Sequence, residues 1–190
     1  MPVIIFLTDI VPNPVKGLTI IFIVIGTIAL SVIEKIPKKE LGIRVDNIKK
    51  SALPYALFTI LAVFSLLILS KLLNKQPLAN WWTYPSLQWV FLPISFIQEF
   101  VFRAFFQTKL QKILNPTLAI ALAAFLFASI HILWRDPLIL LLALLGGLGW
   151  GYLWYKYPNL WLITISHAAV NFTIIFLGFF PWTVTDFFKF

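Results

Sequence analysis

The sequence has no cysteine, which excludes disulfide bonds and thiolate chemistry. Charged residues are also scarce, at 12% of the 190 residues, about half of the roughly 25% that is typical of soluble domains. Hydrophobic residues make up 61%, and a water-soluble fold of this length could not bury so much apolar surface. We therefore predict a helical membrane protein, because helices satisfy their own backbone hydrogen bonds in lipid.

Acidic residues are especially few: seven stand against fifteen lysines and arginines, which gives a net charge of +8. In a soluble protein this excess would suggest a nucleic-acid partner, but here it indicates loops that face anionic lipid headgroups. We therefore expect membrane lipids, and no nucleic acid, as partners. Residues 1–14 lack a basic segment before their short apolar run and do not resemble a cleaved signal peptide. Without an internal repeat or a low-complexity linker, residues 1–190 are predicted to form one domain.

Six apolar stretches are candidates for crossing a bilayer core, which takes about 20 residues, and the fourth and fifth of them are short for this. They cover residues 15–33, 52–73, 87–106, 118–134, 138–155 and 160–179. The sequence thus predicts an all-α bundle of about six transmembrane helices, in a prokaryotic cell membrane or a thylakoid-type membrane.

Basic residues are spread unevenly over the predicted loops. The loop 34–50 holds six of the fifteen, and Lys109, Lys112 and Lys156 fall on the same side of a six-helix bundle. The other side holds Lys16, Lys71, Lys75, Arg135 and Lys189. Because cytoplasmic loops carry the basic excess, this pattern predicts that 34–50 is cytoplasmic and that both termini are not. The loop itself is either an amphipathic surface helix or an irregular solvated segment.

A few polar side chains lie well inside the predicted spans. Glu99 is the only acidic residue placed there, and Arg103 follows it by four residues on the same helix face. The only two histidines, His131 and His167, are also in spans, and Asn171 shares a face with His167. Because ionised groups are costly in lipid, these side chains need a polar interior to face.

Helix dimensions allow these side chains to meet. At 1.5 Å per residue, Glu99 and His131 both lie about 21–23 Å from the turn at 115–116, and His167 lies about 14 Å along its own helix. We therefore predict that Glu99, His131, His167 and Asn171 line one buried cavity.

Several kinds of chemistry fit such a cluster. A carboxylate beside an imidazole can activate water, and a second imidazole with an amide can stabilise an oxyanion, which together suit amide hydrolysis. The alternatives are a structural ion pair between Glu99 and Arg103, histidines that merely bridge helices, and a proton relay in a transporter. Two histidines and one glutamate are also a zinc ligand set, but no compact ligand motif is present, so we predict no metal and no cofactor.

The polar segments resemble the CPBP family, membrane-embedded proteases related to the CAAX prenyl endopeptidases and to bacteriocin-processing and immunity proteins, also called the ABI family. The family pattern is EExxxR, then FxxxH, then HxxxN. The matching segments here are QEFVFR at 98–103, FASIH at 127–131 and HAAVN at 167–171. The resemblance covers roughly 96–172, so a CPBP-like core is expected in the last four spans, at about 87–180.

The resemblance implies a helical bundle with a membrane-embedded cavity and a glutamate-type peptidase without an obligatory metal. In the family, the first Glu of EExxxR and the FxxxH histidine activate water, and these positions are Gln98 and His131 here. The HxxxN pair, His167 and Asn171 in this chain, is associated with oxyanion stabilisation. Phe127, one turn before His131, is expected to pack rather than to take part in chemistry.

Gln98 departs from the family pattern, because a neutral amide cannot accept a proton from water. Glu99 lies about 100° further round the helix, and pairing with Arg103 would weaken it as a base. Either Glu99 or His131 is the base in a modified site, or the chain is an inactivated variant of a protein with Glu at position 98. The first hypothesis is an intramembrane endopeptidase that acts on membrane proteins or membrane-anchored peptides. The alternative is a non-catalytic membrane scaffold or assembly factor that binds other membrane proteins.

Overall fold

The computed structural model describes residues 13–79, 85–134 and 136–179. In that part of the chain six long helices are present and no strand, so the prediction of an all-α helical bundle is confirmed. The helices are α1 Asn13–Ile33, α2 Ile48–Leu72, α3 Pro85–Glu99, α4 Pro116–Ser129, α5 Pro137–Lys156 and α6 Leu160–Phe176. Of these, α2 and α5 are long and apolar enough to cross a membrane.

Two of the predicted spans end differently from a regular α-helix. After α3 the chain continues as a π-helix over Phe100–Gln107, followed by a single α-helical turn. After α4 it tightens into a 3₁₀ helix over Ile130–Trp134. The span predicted over 87–106 is therefore α-helical only as far as Glu99. Such wide and tight turns recur at functional sites, and here they carry Arg103 and His131.

The starts of the last three helices are set by local side-chain caps. Asn115, Asp136 and Asn159 each accept a hydrogen bond from a backbone N–H two or three residues later, at 2.8–3.0 Å. Proline follows Asn115 and Asp136 at the first helical position, where its missing N–H costs nothing. These caps fix where the motif-bearing helices begin.

One end of the bundle is built around the 34–47 loop. The Asn159 side-chain amide donates to the Arg44 carbonyl (3.1 Å) and to Asn47 Oδ1 (2.7 Å), which ties this loop to the turn between α5 and α6. Gly42 adopts φ +67°, and a Cβ there would lie 2.3 Å from the Trp154 ring. A glycine is therefore required at this position.

Ion pairs join the same loop to the segment that follows the π-helix. Lys109 pairs with Glu34, and Lys112 pairs with Glu40 at 2.7 Å. Nine basic residues of the described chain lie at this end: Lys35, Lys38, Lys39, Arg44, Lys49, Lys50, Lys109, Lys112 and Lys156. The charge asymmetry on which the orientation prediction rests is thus a property of one end of the bundle.

Small residues let α4 and α5 pack closely. Ala119, Ala123 and Ala124 of α4 are fully buried, and Gly147 of α5 faces them. A Cβ at position 147 would lie 3.1 Å from Ala124 Cα, so a larger residue would force the helices apart. This close approach brings the Gly147 carbonyl within reach of the π-helix.

Candidate active site

Glu99 and His167 form the central contact of the site. Both side chains are completely or almost completely buried, and Glu99 Oε1 lies 2.7 Å from His167 Nδ1. A carboxylate can only accept a hydrogen bond, so Nδ1 carries the proton. In the neutral imidazole Nε2 is then unprotonated and can accept a proton.

Arg103 occupies the other side of the Glu99 carboxylate. Its Nε lies 3.6 Å from Glu99 Oε2, and one terminal nitrogen donates to the Gly147 carbonyl at 3.2 Å. The guanidinium carbon lies 4.7 Å from the centre of the Phe127 ring. Arg103 is therefore fully buried but has an anion, a carbonyl and an aromatic face as partners.

Phe127 packs among the polar groups rather than offering any chemistry of its own. Its ring centre lies 4.8 Å from that of His131 and 5.5 Å from that of His167. Together with the Arg103 contact, this makes Phe127 the shared apolar neighbour of three of the predicted site residues.

His131 has a different partner from His167. Its Nδ1 lies 3.0 Å from the Phe127 carbonyl, one turn earlier in the chain. A carbonyl oxygen only accepts, so Nδ1 carries the proton here too and Nε2 is the free nitrogen. His131 is thus held by a neutral dipole, whereas His167 is held by a carboxylate.

Asn171 and Gln98 complete the predicted set. Asn171 is partly buried, and its Nδ2 lies 3.4 Å from Ser95 Oγ. Gln98 is partly buried, and its Oε1 is enclosed without a hydrogen-bond partner in the described part of the chain.

A cavity of about 300 Å³ is lined by His131, His167 and Asn171, three of the four residues that were predicted to share one. Most of the remaining wall is apolar and comes from α2, α5 and α6. Leu61 and Leu145 contribute to this wall although they are 64% and 55% exposed. The cavity therefore reaches the surface of the bundle between α2 and α5.

Glu99 and Gln98 do not line this cavity, which differs from the prediction for Glu99. The physical reason is that the two Glu99 oxygens are directed at His167 and Arg103, so the imidazole stands between the carboxylate and the cavity.

Two further residues support the site without having been singled out in the sequence. Gln107, one turn after Arg103, donates to the Gly151 carbonyl at 2.7 Å, repeating the Arg103–Gly147 contact. Its polarity within an apolar segment, four residues after Arg103, was a usable signal. Trp150 stacks on the His167 ring at 4.3 Å, and nothing in its GGLGWG surroundings indicates this.

The prediction that the site binds no metal is separate from the question of which residue is the base. Within the described residues no three His, Asp or Glu side chains are grouped as a metal-ligand set. Nδ1 of each histidine is also occupied, one by Glu99 and one by a backbone carbonyl. We expect elemental analysis of the purified, chelator-washed protein to find no stoichiometric zinc, because zinc sites need three or four converging ligands. About one zinc per chain would contradict this expectation.

Part of the chain matches a known protein family. Residues 80–173 match the family described as Type II CAAX prenyl endopeptidase Rce1-like. Neither the curated proteins nor the solved structures gave a match to the chain. The matched region contains the QEFVFR, FASIH and HAAVN segments and every predicted site residue. This match, over 94 of the 190 residues, supports membership of the CPBP family of CAAX-type proteases.

Proposed function

We propose that the chain is a multi-pass membrane endopeptidase in which His167, oriented by Glu99, activates the attacking water. The observation that carries this proposal is the 2.7 Å contact between Glu99 Oε1 and His167 Nδ1, with the imidazole at the cavity wall. A carboxylate that holds an imidazole in one tautomer and stabilises its protonated form is a recurring arrangement in hydrolases.

The proposed reaction is hydrolysis of a peptide bond. Water gives a proton to His167 Nε2 as its oxygen bonds to the carbonyl carbon. The carbonyl oxygen becomes an oxyanion, which the Asn171 amide can stabilise by hydrogen bonding. The C–N bond then breaks, and the proton on His167 passes to the leaving nitrogen.

The two histidines differ in how well they suit the role of base. Proton uptake creates a positive charge on the imidazole. On His167 this charge is stabilised by the Glu99 carboxylate, whereas on His131 it faces the weaker dipole of the Phe127 carbonyl. Glu99 itself is not assigned as the base, because its two oxygens face Arg103 and His167 and it does not line the cavity. This arrangement provides a base without a carboxylate at position 98.

The surface around the cavity supports a membrane-embedded substrate. The cavity opens between α2 and α5, the two helices long and apolar enough to cross a membrane. Only 11% of the most apolar stretch of α2 is buried, unlike a core helix of a soluble protein. A peptide anchored in the bilayer by an apolar group can therefore reach His167 laterally. The family description, prenyl endopeptidase, makes an isoprenylated peptide the first substrate to test.

A non-catalytic membrane scaffold is the second candidate function. The observation that favours it is the combination of an amide at position 98 with a carboxylate, Glu99, that is buried behind His167. In that case the same polar cluster serves only to hold α3, α5 and α6 together.

The test compares the rate of peptide cleavage by the natural chain with that by Gln98→Glu in liposomes. The substrates are quenched fluorescent peptides that are anchored in the bilayer by an isoprenyl group or by one apolar helix. If His167 is the base, the natural chain cleaves, and Gln98→Glu changes the rate by less than about tenfold. Gln76→Glu makes the same chemical change at an exposed position outside the candidate site and is the matched control.

Two other outcomes would point elsewhere. Cleavage by Gln98→Glu alone would mean that position 98 has to supply the base and that the natural chain is inactive. Absence of cleavage by both, with a membrane protein co-purifying with each, would favour the scaffold.

A further inference from the structure

The His167 imidazole is enclosed on two further sides besides Glu99. The Trp150 ring stacks on it with centres 4.3 Å apart and an interplanar angle of 29°. The Phe127 ring meets it edge-on at 5.5 Å and 73°. The carboxylate therefore fixes one ring atom, while Trp150 sets the plane of the imidazole.

Trp150 is itself held by a directed chain of hydrogen bonds that reaches α2. Thr59 Oγ1 donates its one proton to the Tyr55 carbonyl at 2.7 Å. The Ser166 hydroxyl, 2.7 Å from Thr59 Oγ1, then donates to Thr59 and accepts from Trp150 Nε1 at 3.0 Å. Each hydroxyl thus accepts one hydrogen bond and donates one. The indole therefore cannot rotate without breaking this series of hydrogen bonds.

We propose that Trp150 is a positioning residue for His167: it holds the imidazole so that Nε2 faces the cavity. The indole face also stabilises the imidazolium formed when the base takes a proton, as aromatic rings stabilise stacked cations. The catalytic consequence rests on the proposed function, but the effect on the ring of His167 does not, and it can be measured without any substrate.

The direct measurement is ¹⁵N NMR of histidine-labelled protein in lipid nanodiscs. The chain has only two histidines, so His131→Gln assigns both signals. In the natural chain we expect His167 in a single tautomer, protonated at Nδ1. Trp150→Leu frees the ring to turn away from Glu99 and should therefore give a mixture of tautomers. Trp150→Phe, which keeps an aromatic face, should restore most of the single tautomer. Ser166→Ala leaves the indole in place, cuts its hydrogen-bond chain, and should give a smaller change.

Trp154→Leu is the matched control, because Trp154 lies one turn later on α5, is equally buried, and donates its indole N–H to Thr108. It should leave the His167 tautomer unchanged. An unchanged tautomer in Trp150→Leu, or an equal change in Trp154→Leu, would overturn the proposal. If Trp150→Leu does not fold, an unchanged tautomer in Ser166→Ala overturns it.

Hydrolysis provides a second readout. Trp150→Leu should lower kcat about tenfold with KM unchanged, because misplacing a reacting group costs rate rather than substrate binding. Trp150→Phe should recover most of kcat. A raised KM with unchanged kcat would assign Trp150 to substrate binding and contradict the positioning role. If the natural chain shows no hydrolysis, the proposed function fails, while the NMR comparison still decides the role of Trp150.

Discussion

His167→Ala is expected to lower the rate of peptide hydrolysis by about 10²–10⁴-fold, the usual contribution of a general base. Glu99→Gln should lower kcat as well, because a neutral amide can no longer stabilise the imidazolium that forms on His167. The measurement is kcat/KM in proteoliposomes with the anchored fluorescent peptides, after confirming by thermal unfolding that each variant is folded.

His131→Ala is the informative comparison, since it removes the other cavity imidazole. We expect a fall of less than about tenfold, because His131 is held by a backbone carbonyl and not by a carboxylate. A fall as large as that of His167→Ala would give both histidines essential roles. A large fall for His131→Ala with an active His167→Ala would make His131 the base, as the family resemblance implies.

Arg103→Ala is expected to have the largest effect on stability, lowering the free energy of unfolding by about 3–5 kcal/mol. The change leaves the completely buried Glu99 without its cation and removes the contacts with Gly147 and Phe127. Thermal unfolding in detergent measures the effect. Lys109→Ala is the control, because its ion pair with Glu34 is over one-third exposed and such pairs contribute about 0–1 kcal/mol.

The double variant Arg103→Ala with Glu99→Gln separates the contribution of the ion pair to stability from the contribution of Arg103 packing. Removing the carboxylate charge should recover part of the lost stability, because no unpaired buried anion then remains. Equal melting temperatures for Arg103→Ala and Lys109→Ala would contradict a structural role for the Glu99–Arg103 pair.

The contact between Glu99 and Arg103 followed directly from their spacing in the sequence. A separation of four residues predicted that Glu99 and Arg103 share a face, and the structure places them 3.6 Å apart despite the change to a π-helix after Glu99. The π-helix itself was not predictable, because the segment FVFRAFFQ contains neither proline nor glycine. We infer that its wide turn depends on tertiary contacts, such as those of Arg103 and Gln107 with the α5 carbonyls.

Contacts between helices were predictable only in part. Helix rise places Glu99 and His131 at one depth, but it does not fix which way each helix is rotated about its axis. In the structure the carboxylate contacts His167 instead. The role of Trp150 could not be predicted for a similar reason: a tryptophan in an apolar helix has the same local pattern whether it faces lipid or a histidine.

The most direct test of the account is cleavage of an anchored peptide by the natural chain in H₂¹⁸O, with the products analysed by mass spectrometry. If His167 activates water, the new carboxyl group gains one ¹⁸O atom in a single turnover, and Glu99→Gln and His167→Ala slow its appearance. An intact peptide after prolonged incubation with the folded natural chain, or a product whose new carboxyl group carries no ¹⁸O, would contradict the account.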